Sequence, residues 1–153
     1  MQPSRAIAGG TLVVGTLDLL DAVVFFGIRN GVPPVRILQS IASGWLGRAA
    51  FRGGPAVATL GLATHYFIAF AIVLTYLAAS RKLDVLARRP WICGPAYGLA
   101  VYLVMYLIVL PLSAAGPQRF VPAVVANELL VHMFGVGTPS ALFAAAARLR
   151  RKA

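Results

Sequence analysis

The sequence predicts an all-α integral membrane protein: four transmembrane helices in an up-down bundle, with one amphipathic helix at the membrane surface. Three observations predict it. The chain of 153 residues is 59% hydrophobic and 12% charged, whereas soluble domains carry about 25% charged residues. Its apolar residues fall into four stretches, each near the roughly 20 residues that cross a bilayer. Three of its four acidic residues, Asp18, Asp21 and Glu128, and both histidines, His65 and His132, lie inside those stretches.

The whole chain, 1–153, reads as one transmembrane domain. The first span covers about residues 6–28. It is expected to be retained rather than cleaved as a signal peptide, because Asp18 and Asp21 interrupt the apolar run and no clean A-x-A site follows. After Pro33-Pro34, residues 35–51 have helical periodicity. Leu38, Ile41, Trp45 and Ala49 share one face, and Arg36, Gln39, Ser40, Ser43 and Arg48 lie largely elsewhere. Such a helix suits the membrane surface, with Trp45 at headgroup depth; a lid over the outer end of the bundle is the alternative. Gly53-Gly54-Pro55 turns the chain into the second span, about 55–79.

A short basic linker, 81–90, leads to the third span, about 91–112, which opens with a Gly94-x-x-x-Gly98 step suited to close helix packing. A second short linker, 113–121, leads to the fourth span, about 122–147. There Gly135, Gly137 and Pro139 predict a kink or local unwinding, since Pro139 has no N–H to donate to Gly135. Irregular backbone at this depth either packs a kink or lines a cavity.

The formal net charge is +10, with basic residues concentrated between and after the spans. They act there as topology signals and contacts for anionic lipid, and no basic stripe with interleaved aromatics suggests nucleic acid. Arg5, the linker Arg81, Lys82, Arg88 and Arg89, and the terminal Arg148, Arg150, Arg151 and Lys152 outnumber Arg29, Arg36, Arg48, Arg52 and Arg119. The positive-inside rule therefore places both termini in the cytoplasm. Cys93 is the only cysteine, which excludes an internal disulfide and any CxxC site.

Ionisable groups inside a span are functional candidates by default. At 1.5 Å per residue, Asp21 and Glu128 lie about 9–10 Å below one membrane face, and Asp18, His65 and His132 about 15 Å below it. Tyr102 and Tyr106 of the third span fall near the same two levels. Asp18 and Asp21 are i, i+3, and Glu128 and His132 are i, i+4, so each pair shares a helix face. Inward-facing pairs would form one buried polar cluster from all four helices.

The stretch Gly61-Leu-Ala-Thr-His65, Tyr76 eleven residues later, Pro111-Leu112 with Pro117, and Glu128-x-x-x-His132 together resemble the YagU-type bacterial inner-membrane proteins. The resemblance covers roughly residues 56–140. It implies a bacterial inner membrane location and a helical membrane architecture, and carries His65, Glu128 and His132 onto matching positions. Tyr106 stands where a relative has histidine. The family has no settled biochemical activity.

Three functions fit these residues. The first is proton or small-ion handling, with Asp18 and Asp21 as binders, Glu128 and His132 as a gate-side pair and His65 opposite; such clusters serve relays and small transporters. The second is a site for a divalent metal (Zn, Mn or Fe) using His65, Glu128 and His132, or a haem between the two histidines. The third is an assembly protein whose polar cluster holds helices together, in a homo-oligomer or with another membrane protein. The expectation leans away from an enzyme: no GxSxG elbow and no Walker or Rossmann glycine pattern is present.

Overall fold

Proline starts most of the helices. The structure, a computed structural model, describes residues 1–149. Among them α1 spans Pro3–Asn30, α2 Pro34–Leu46, α3 Gly54–Lys82, α4 Asp84–Arg88, α5 Pro90–Leu112 and α6 Pro122–Arg148. In all of these but α4 a proline occupies the first turn, where its missing N–H leaves no hydrogen bond unmade. No strand occurs among the described residues. Four helices, α1, α3, α5 and α6, are 28, 29, 23 and 27 residues long and apolar enough to cross a membrane. They occupy the four expected stretches, extended by a few residues at their ends.

α1 stops at Gly31, whose φ of 65° is the left-handed conformation that glycine adopts without strain. Its N–H caps the Gly27 carbonyl at 2.9 Å. The short basic linker 81–90 contains α4, an element not anticipated from the sequence. This short helix is tied to the end of α6: Arg148 Nη1 donates to the Asp84 carbonyl at 2.8 Å, and the two side chains form an ion pair. Arg150, Arg151 and Lys152, counted in the charge tally, lie outside the described residues.

Prolines also account for two irregular turns. Val131–Gly137 is a π-turn ahead of Pro139, and Met105–Val109 is a π-turn ahead of Pro111. The kink or local unwinding expected in the fourth span takes the form of a widened turn within a continuous helix. The Thr138 hydroxyl donates to the Met133 carbonyl at 2.9 Å, so the widened turn keeps that acceptor satisfied.

α2 packs along the first half of α3. Its inward side is Ile37, Gln39, Ala42 and Ser43, all buried. Of the stripe read from periodicity, Leu38 and Ile41 are half-buried, while Trp45 is 67% exposed, with its indole N–H on the Thr64 hydroxyl at 3.0 Å. Small side chains on the inner side let α2 approach so closely that the Leu38 carbonyl fills the space beside Gly61. A 3-10 turn, Gly47–Arg52, returns the chain to α3.

The interior is built from small residues. Ala6, Ala58, Ala69, Ala141 and Ala144 are buried with Gly10, Gly61, Gly94, Gly98 and Gly137. Among fully buried side chains only Tyr76 is larger than valine. Large apolar residues lie outside instead: Leu12, Phe67, Ile92 and Leu107 are each more than 60% exposed. α1 meets α3 where Gly10 faces Val73 and Gly15 faces Tyr66 and Ala69. It meets α6 where Gly9 faces Phe143. The Gly94/Gly98 step works within the chain: Gly94 lies against the Thr138 backbone, and Gly98 against His132 and Met133.

Candidate functional site

Gly15 lets a histidine reach the backbone of a neighbouring helix. With no side chain there, α1 presents its carbonyl to α3, and His65 Nε2 lies 2.8 Å from Gly15 O. A carbonyl only accepts, so Nε2 carries the ring proton and Nδ1 the lone pair. Nδ1 faces Asp18 Oδ2 at 3.9 Å. That is too long for a hydrogen bond but close enough for an ion pair once the ring is protonated. The His65 and Asp18 side chains are 11% and 28% exposed. Next to the pair, the hydroxyls of Tyr66 and Thr16 are 2.9 Å apart, a second polar link between α1 and α3.

One turn further along α1, Asp21 has a different partner. Asn127 Nδ2 donates to Asp21 Oδ2 at 2.6 Å, joining α1 to α6. Asn127, which is uncharged, is not among the candidates that intramembrane charge points to. Its signal was available: a polar amide at the depth of Asp21, beside Glu128, in an apolar stretch.

His132 holds the opposite tautomer to His65. Its Nδ1 lies 2.8 Å from the Glu128 carbonyl and donates to it, leaving Nε2 as the acceptor. The Tyr102 ring meets the imidazole edge-on at 5.6 Å, and Tyr106 stacks on Tyr102 at 5.6 Å. The two tyrosines and His132 thus form one aromatic column between α5 and α6. Both histidines are anchored through one nitrogen and offer the other. The Glu128 side chain is half-buried and within electrostatic reach of Asp18 and Asp21.

The structure places the five ionisable candidates in linked pairs: Asp18 with His65, Asp21 with Asn127, and Glu128 with His132 through its backbone. Among the described residues no three His, Cys, Asp or Glu side chains gather as a set that could hold a metal ion. His65, Glu128 and His132 are therefore not arranged as one coordination group. Cys93 is half-buried and unbridged.

No family model, curated protein or solved structure matches the chain.

Proposed function

We propose that this chain is a multi-pass membrane protein that carries protons or a small cation through the Asp18–His65 pair. The membrane reading is supported by the distribution of side-chain size. Leucine and phenylalanine face outward while alanine and glycine fill the interior, which suits a lipid solvent and close helix packing. The helices cross in alternating directions in this reading. Contacts along α1 and α3 run in opposite order (Gly10 with Val73, Gly15 with Ala69), as do those of α5 and α6 (Gly94 with Thr138, Gly98 with His132). Both termini are cytoplasmic, from the basic residues of the 81–90 linker and the chain ends. The resemblance to YagU-type proteins favours a bacterial inner membrane.

The observation that carries the functional reading is the His65 geometry. With Nε2 committed to Gly15 O, a proton has two places to rest, Nδ1 and the Asp18 carboxylate, 3.9 Å apart across a helix interface. An imidazole and a carboxylate at that distance can pair as ions, exchange a proton once they close to hydrogen-bond distance, or together hold a cation. Reconstitution in liposomes with an interior pH dye tests this. Wild type should dissipate an imposed pH gradient. Asp18→Asn and His65→Gln should each lose most of that flux while remaining helical and soluble in detergent. Equal flux from all three proteins would count against the proposal.

The Asp21–Asn127 hydrogen bond favours a second reading, in which polar contacts fasten α1 to the bundle. In that case Asp18→Asn would lower stability and leave no flux to lose, because wild type would have none.

A further inference from the structure

We infer that the groove where the start of α1 meets the ends of α3 and α6 binds the phosphate of an anionic phospholipid. Leu77, Ala144 and Ala147 supply an apolar lining, and Arg81, Arg148 and Asp84 a charged one. The α3 span gives way to Arg81 and Lys82 here, so in the membrane reading, on which this inference rests, the groove lies at headgroup depth. Arg148 is held in place: its side chain is 18% exposed, and it contacts Asp84 through both the backbone carbonyl and the carboxylate. Arg81 is exposed and forms no ion pair among the described residues. Its planar guanidinium fits two phosphate oxygens at once.

The surrounding charge selects an anion. Arg5, Arg81, Lys82, Arg88, Arg89 and Arg148 gather at this end, and Asp84 is the acid there among the described residues. A basic cluster beside a span attracts anionic lipid at about 1 kcal/mol per basic side chain. The apolar lining then accommodates the glycerol and the first methylenes of the acyl chains, which a free anion cannot use.

Native mass spectrometry of the detergent-purified protein tests the inference, with phosphatidylglycerol, phosphatidylcholine or inorganic phosphate added separately. Phosphatidylglycerol should give a saturable adduct, and Arg81→Gln should weaken it about fivefold, the equivalent of one basic side chain. Arg29→Gln, at the opposite end of α1, should bind as wild type does. Arg81 carries the test because changing Arg148 also breaks its contacts with Asp84. Equal binding of phosphatidylcholine, unchanged binding by Arg81→Gln, or equal occupancy by inorganic phosphate would each overturn the lipid assignment. Failure of the membrane reading would appear separately, as a chain that leaves the membrane fraction without detergent.

Discussion

Asn127 has one strong polar partner, and that partner is a carboxylate. Replacing it with leucine leaves the Asp21 carboxylate half-buried without its donor, at a cost of about 1–3 kcal/mol. Asn127→Leu should lower unfolding stability in detergent by that amount, and Asp21→Leu in the same chain should recover part of it. A double-mutant cycle by chemical denaturation measures both. At this scale sequence reasoning gave the depths of these residues, but the one cluster from all four helices that it expected is not what the side chains form. The fixed helical rise put Asp18 level with His65, and the structure pairs them. The same reasoning set His132 beside the α5 tyrosines, and Tyr102 meets it. What it could not supply was direction. Rise per residue gives depth, but the choice of Gly15 O by His65, or of Thr64 by Trp45, depends on how close two backbones come.

That closeness is set by glycine, and its consequences belong to whole helices. A side chain at Gly98 would meet the His132 carbonyl carbon at 2.6 Å and Met133 Cα at 2.7 Å. Backbone atoms cannot step aside, so Gly98→Val should force α5 from α6 and cost at least about 3 kcal/mol. Gly27→Ala is the contrast. It meets nothing nearer than 3.9 Å inside α1, and should be neutral or stabilising by about 0.5–1 kcal/mol. Thermal unfolding of the two variants checks the pair. Helix positions were legible because apolar runs bounded by proline leave little freedom. The side of α2 that packs was not. Periodicity marks an apolar stripe, but close packing on α3 buries Gln39 and Ser43 with Ile37 and Ala42 and leaves Trp45 exposed. The short α4 was hidden for a related reason: five residues carry too little periodicity to announce a helix, and the Asp84–Arg148 contact that fastens it is long-range.

For the molecule as a whole, in the membrane reading, the helix contacts are the same whichever way it is inserted, so orientation rests on charge alone. Single cysteines introduced at Arg88 and Arg119 in a Cys93→Ser background would read it. With cytoplasmic termini, a membrane-impermeant thiol reagent applied from outside should label position 119 and spare position 88. The bundle also has an order of events written into it. α1 is made before α6, yet its Asp21 is bonded to a residue 106 positions later. At the usual 5–20 residues per second, the ribosome takes roughly 5–20 s to reach that partner. For that interval α1 lacks α6, and for its first part α3 as well; in the membrane reading its two carboxylates, costly in lipid, must meanwhile stay near water. If the chain inserts as proposed, it should therefore hold α1 at the insertion machinery until α6 arrives, and release all four helices together.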